Sequence, residues 1–177
     1  MQLMNAQEMN NTLEALAGQL LARHGDCRRL ALIGIQRRGV HLAARLAARL
    51  ENSLGREVPQ GILDISLYRD DWTMRGPSAV VGQTRLTFDV QGMDLLLVDD
   101  VLFTGRTIRA ALEALADFGR PRKVELLALI DRGHRELPIQ ADYIGKSVPT
   151  ERGDHVDVLV AELDGRDEVL LDNREQS

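Results

Sequence analysis

Apolar positions along the chain recur with two different periods, and the switches between them lay out an alternation of helices and strands. From Asn5 to Arg23 the residues Met9, Leu13, Leu16, Leu20 and Leu21 fall on one face of an amphipathic helix. Leu30 to Ile35 is an apolar run that predicts a buried strand. The helix expected from Gly39 to Leu50 turns Val40, Ala43, Ala44, Ala47 and Leu50 inward and Arg45 and Arg49 outward, and Gly55 and Pro59 break it. Ile62 to Leu67 reads as a strand. A polar stretch from Arg69 to Gln83, with Gly76, Pro77 and Gly82, separates it from a returning strand at Arg85 to Val90, which predicts a long hairpin with a mobile tip.

Leu95 to Val98 contain no polar member, as expected of a central parallel strand covered on both faces. From Ile108 onward Leu112, Leu115 and Phe118 recur at helical spacing, and Gly119 and Pro121 stop that helix. Val124 to Ile130, Ala141 to Ile144 and Val156 to Leu163 read as later strands, while Asp172 to Ser177 have the composition of a disordered tail. The order of elements predicts an α/β fold, a mostly parallel central sheet with helices on both faces, in a single domain spanning residues 1–177.

Chemistry gathers where strands end. Asp99-Asp100 follow the apolar strand, and Val101 to Thr107 lead through a small, hydroxyl-rich turn into the helix. Amides at the helix start, with the Thr104 and Thr107 hydroxyls beside Gly105 and Arg106, can hold a phosphate dianion. The two carboxylates offer acceptors for vicinal ribose hydroxyls. Gln36-Arg37-Arg38-Gly39 lie at a second strand-to-helix junction suited to a second phosphate group. A nucleotide triphosphatase is the competing interpretation of four apolar residues followed by two acids, but Gly34 to Gly39 are followed by Val40-His41 where a phosphate loop requires Lys-Ser/Thr.

The stretch from Leu95 to Thr107 resembles the phosphoribosyl-pyrophosphate (PRPP) signature of type I phosphoribosyltransferases. That resemblance implies the type I fold with a small hood and a flexible hairpin loop, ribose hydroxyls on Asp99 and Asp100, the 5-phosphate on residues 104–107 and pyrophosphate on residues 36–39. It also implies a loop from Tyr68 to Gln83 that closes over substrate, with Arg69, Arg75 and Arg85 as candidates for neutralising the leaving group and Arg69 as a catalytic residue. Asp131-Arg132-Gly133-His134-Arg135-Glu136-Leu137-Pro138, Asp64 to Asp71 and Ala141 to Lys146 narrow the resemblance to the PyrR family, pyrimidine-operon attenuators that also act as uracil phosphoribosyltransferases. From it follow a base pocket bordered by Asp131, Arg132, Gly133 and His134, and a reaction of uracil with PRPP to give UMP and pyrophosphate. Mg²⁺ is the implied cofactor, held through PRPP and water with no direct protein cage. A homodimer or higher homo-oligomer follows from the same likeness.

The family's second role, UMP-responsive binding of pyrimidine-operon leader RNA, would fall to Arg37, Arg38, Arg135 and Lys146. Glu14 on the first helix and Gln140 depart from the basic face that such binding uses. A nucleotide-sensing RNA-binding regulator with little or no catalysis is the alternative. A net charge of −5 and 3% aromatic residues argue against indiscriminate nucleic-acid binding and against stacking platforms. With Cys27 as the sole cysteine there is no intrachain disulfide. The absence of a long apolar run or a signal pattern makes a cytoplasmic protein with no membrane association the expectation.

Overall fold

The computed structural model describes residues 1–66 and 84–173. Its elements are β1 (Gln2–Met4), α1 (Ala6–His24), β2 (Leu30–Ile35), α2 (Arg38–Leu54), β3 (Gln60–Leu63), β4 (Arg85–Leu86), β5 (Asp94–Leu102), α3 (Arg106–Ala116), β6 (Lys123–Asp131), β7 (Tyr143–Ser147), β8 (His155–Leu159), α4 (Ala161–Asp164) and β9 (Glu168–Asp172). Six strands form the main sheet in the order β4-β3-β2-β5-β6-β7. Its pairings are parallel except for antiparallel β3–β4, which forms the base of the expected hairpin. The hairpin tip, with Arg69 and Arg75, lies outside the described residues.

Strand alternation divides the core. Leu30, Leu32, Leu96 and Val98 pack with Leu13, Leu16 and Leu20 of α1 and Leu42, Leu46 and Leu50 of α2. On the other layer Ile33, Ile35, Leu95 and Leu97 pack with Ile108, Ala111 and Leu115 of α3. Helix α1 starts with a reciprocal capping box: the Glu8 amide donates to Asn5 Oδ1 (2.9 Å) and the Asn5 amide to Glu8 Oε2 (2.8 Å). Gly145 of β7 lets α1 approach closely, since a Cβ there would meet the Leu129 carbonyl and the Thr12 methyl.

Several expectations are corrected. In α2 Ala44 is exposed and Leu42 and Leu46 take the inward places, while Arg45 and Arg49 are only partly exposed. Arg45 bonds Glu162 and Asp167, and Arg49 bonds Glu14 and Asn10. In α3 the buried stripe is made largely of alanines, and Leu112 and Phe118 are exposed at 43% and 44%. The strand expected through Leu163 stops at Leu159, and α4 follows, with the Val160 amide donating to Asp164 Oδ2.

Asp172 ends a strand, and β1, β9 and β8 form a separate antiparallel sheet in the order β1-β9-β8. This small sheet is the hood. Val156, Val158, Val169 and Leu171 face the α1–α2 layer from it, and Arg45 ties it to α2. The Arg45 guanidinium is held firmly protonated, above all by its bonds to Glu162.

Candidate functional site

The predicted ligand-binding residues converge at the carboxyl ends of β2, β5 and β6, where open α/β sheets gather ligands. Strand β5 runs on through the acids to Leu102, pairing Asp99 with Ala128 and Leu102 with Asp131 of β6. Its partnership with β2 ends earlier, at Gly34 opposite Val98, where the chain leaves the sheet for the Gln36–Gly39 turn. The alternation of layers slips by one across the acids, so Val101 packs with the α1–α2 layer and Leu102 with the α3 layer. The Asp100 amide donates to Asp99 Oδ1 (3.0 Å) and the Val101 amide to Asp100 Oδ1 (2.9 Å), which fixes both carboxyls from the backbone. Asp99 is buried and Asp100 half-buried.

Two glycines bring the second loop against this end of β5. A Cβ on Gly39 would overlap the Val98 carbonyl and sit 3.3 Å from Asp99 Cα, and one on Gly34 would overlap Val40. Nothing larger than hydrogen fits. The Gln36–Arg37 peptide is cis, Gln36 and Arg37 are exposed, and Arg38 donates to Asp164 Oδ1 at 3.1 Å.

The turn into α3 has Gly105 at φ 92°, a conformation that glycine alone adopts without strain. The Arg106 amide donates to Thr104 Oγ1 (3.3 Å), and the first full helical bond runs from the Arg109 amide to the Gly105 carbonyl. The amides of the first turn lie just past the end of β5 and carry partial positive charge from the helix.

Segment 131–139 is held down by the protein itself. Asp131 Oδ1 accepts from the Gly133 amide (3.0 Å) and Oδ2 from Arg135 (2.6 Å). Burial opposes the Asp131 charge, but these two donors outweigh it and hold the carboxyl below the usual aspartate range. Arg132 is buried, stacks 4.0 Å from the Phe103 ring centre, and donates to the Asp154 (2.7 Å) and Glu151 (2.9 Å) carbonyls. Burial draws its guanidinium below the ordinary arginine value. His134 Nε2–H donates to the Thr150 carbonyl (2.7 Å).

Of the residues expected at an RNA face, Arg135 donates into the protein, to Asp131 and to the Phe103 and Ile139 carbonyls. Lys146 donates to the Leu3 carbonyl (2.7 Å), and Arg37 is exposed.

Sequence reasoning missed Glu136, which joins the segments. Its amide donates to the Thr104 carbonyl (2.9 Å), while its carboxylate takes Arg106 (2.8 Å) and Arg152 and is held below the usual range, first by Arg106. Ile139 and Leu137 close over Gly105. The signal was present only as the Glu-Leu-Pro following Arg135, because the bond from Arg106 spans 30 residues.

The Phosphoribosyl transferase domain family matches residues 2–162. The bifunctional protein PyrR of Thermus thermophilus is 52% identical over 174 residues, covering 98% of this chain and 96% of that protein. The chain belongs to this family of PyrR-type phosphoribosyltransferases. The bifunctional protein PyrR of Roseiflexus sp. is 51% identical over 164 residues, covering 93% of this chain and 90% of its own length. Among solved structures, a Trypanosoma cruzi hypoxanthine phosphoribosyltransferase superposes with a TM-score of 0.73 at 16% identity, over 98% of this chain and 91% of that one. A Staphylococcus aureus hypoxanthine phosphoribosyltransferase gives 0.69 at 22%, over 96% and 90%. At those identities the likeness speaks for the fold alone. Among the described residues no helix is long and apolar enough to cross a membrane.

Proposed function

We propose that this PyrR-family chain, folded as one phosphoribosyltransferase domain, transfers ribose 5-phosphate from PRPP to uracil, giving UMP and pyrophosphate. The observation that carries this reading is the contact at Gly39, which sets the 36–39 turn against the acid-bearing end of β5, the strand that leads into α3. A ribose with phosphate at both ends needs that arrangement. Asp99 and Asp100 hold the ribose hydroxyls, the 104–107 turn holds the 5-phosphate, and the 36–39 amides with Arg37 and Arg38 hold pyrophosphate, Arg38 exchanging Asp164 for it.

As the C1–oxygen bond to pyrophosphate breaks and uracil N1, losing its proton to solvent, bonds to C1, positive charge develops on the ribose. The acid pair lies on the side where it stabilises that charge. Asp131, Gly133 and the His134 backbone border the base. Arg132 holds the 151–154 turn beside them and acts as a positioning residue, and Arg69 is the proposed catalytic cation on the hairpin.

Mg²⁺ fits the donor set. Carboxylate and water oxygens suit this hard ion, and one held through PRPP and water would need little of its coordination from Asp99 and Asp100. When bound, it neutralises charge on the departing pyrophosphate. A cytoplasmic homo-oligomer completes the reading.

The test is pyrophosphate release from PRPP with each common nucleobase in turn. Release with uracil alone is expected, and release with a purine base and none with uracil overturns the assignment.

The family resemblance implies UMP-responsive binding of a pyrimidine-operon leader RNA as a second activity, and the relatives carry the name bifunctional protein PyrR. Titration of that RNA with and without UMP checks it, and by linkage any RNA bound must tighten UMP in return. A chain that binds UMP and RNA but releases no pyrophosphate would be the nucleotide-sensing alternative.

A further inference from the structure

At the amino-terminal end of the sheet, opposite the site above, an open cavity of about 340 Å³ lies between the end of α1, the loop into β2 and the starts of β5 and β6. That volume is at the small end of the range typical of ligand pockets, about 300–1,000 Å³. Arg23, Arg28, Arg29, Arg122 and Lys123 line it. Five cations at one place on a chain whose net charge is −5 are a local reversal of the molecule's field.

The carboxylates nearby do not balance them. Asp94 is buried and bound by Arg122, Glu125 is buried and shared between Arg23 (3.0 Å) and Lys123 (3.2 Å), and Asp26 pairs with Arg28 (2.8 Å). His24 closes the floor, with Nε2–H donating to Glu125 at 2.6 Å. Among the described residues Arg29 has no carboxylate partner, and its exposed side chain stands at the rim with Arg28. Four of the five cations are ion-paired with these acids, so the five outnumber three carboxylates and Arg29 stands as excess charge at the rim. Among the described residues no Phe, Tyr or Trp lines the cavity, so phosphate rather than base recognition is the chemistry it favours.

We propose that this basal cavity is a second binding site, for a small multivalent phosphate anion of the pyrophosphate or triphosphate class, separate from the PRPP site. The charge-assisted bonds of several arginines suit phosphate oxygens, and a depression keeps them less screened than a flat surface would.

The test is calorimetric titration of the full chain with tripolyphosphate, with UTP as a second arm. Three proteins are compared: the natural chain, the basal variant Arg28→Ser/Arg29→Ser/Lys123→Ser, and the loop variant Arg37→Ala/Thr104→Ala. Arg28 and Arg29 are surface side chains and Lys123 is partly exposed, so the basal variant is expected to fold, and circular dichroism with thermal melting checks this.

The expected result is saturable binding of tripolyphosphate, kept in the loop variant and weakened at least tenfold in the basal variant. Equal affinity for UTP and tripolyphosphate assigns the site to the free oligophosphate, and tighter UTP assigns it to a nucleotide, each upholding the site. Binding lost in the loop variant but kept in the basal one, or no saturable binding in a folded chain, overturns it.

Discussion

At its amino-terminal end β5 presents Asp94, whose two oxygens are taken by the Arg122 guanidinium at 2.6 and 2.5 Å, with His24 Nδ1 at 3.9 Å from the second. At the other end the Asp99 carboxyl accepts from the Asp100 amide, and the Asp100 carboxyl accepts from the Val101 amide. The same strand thus has one carboxylate gripped by a cation at one end and two that accept from backbone amides at the other. The ion-paired one contributes to folding, and the other two are the proposed holders of the ribose hydroxyls. Arg122 accordingly holds the Asp94 carboxyl well below the usual range.

The largest expected effect breaks the active end. Gly39→Val forces a branched side chain into the Val98 carbonyl and pushes the 36–39 turn off β5, so PRPP turnover should fall more than about 100-fold, since misplacing a positioned group by about 1 Å costs that much. Steady-state kinetics with PRPP check it, and normal turnover would show that the two loops need not touch.

At the other end Asp94→Asn should destabilise the fold by about 1–3 kcal/mol at pH 7, read by urea denaturation, with the turnover of the folded protein unchanged. The pH dependence has a fixed sign. Because the folded-state value lies below the ordinary one of 3.8, the contribution of Asp94 is present above that value. The gap between the natural chain and Asp94→Asn should therefore shrink as pH falls through the lowered value. A gap that widens in acid would contradict the account.

Arg132→Met removes the donors that bind the 151 and 154 carbonyls, at a cost of about 1–3 kcal/mol. As a positioning change it should also raise KM for the base more than it lowers kcat. A loss of stability with KM unchanged would leave Arg132 a purely structural residue.

The smallest effect is a gain. Gly18 lies exposed within α1, with nothing within 4 Å of where an added methyl group would sit, so Gly18→Ala should stabilise by about 0.5–1 kcal/mol and leave both ends of β5 untouched. Thermal melting checks it.

The contrast between these regions also explains what could be read from the sequence. The β5–α3 stretch was legible because an apolar run, two acids, a hydroxyl turn and a helix follow one another within about 13 residues, each step set by local chemistry. The hood was not. Strand β1 has three residues, and its pairing with β9 joins Gln2 to Leu170, too distant in sequence for any periodicity to reveal. Leu112 fits a helical period yet is exposed, because alanines let α3 lie close to the sheet and take the inward stripe, and Phe118 lies beyond the end of α3 at Ala116. Residues 131–135 were legible as a polar cluster. Their long-range bonds to Phe103, Thr150, Glu151 and Asp154 were not.

The measurement that bears most directly on the central claim is pyrophosphate release from PRPP and uracil by the natural chain and by Asp99→Asn/Asp100→Asn, with circular dichroism confirming that both are folded. Removing two charges aimed at the developing positive ribose should slow release at least about 100-fold. Release at the natural rate by the folded double variant would contradict the assignment of this end of β5 as the reacting centre.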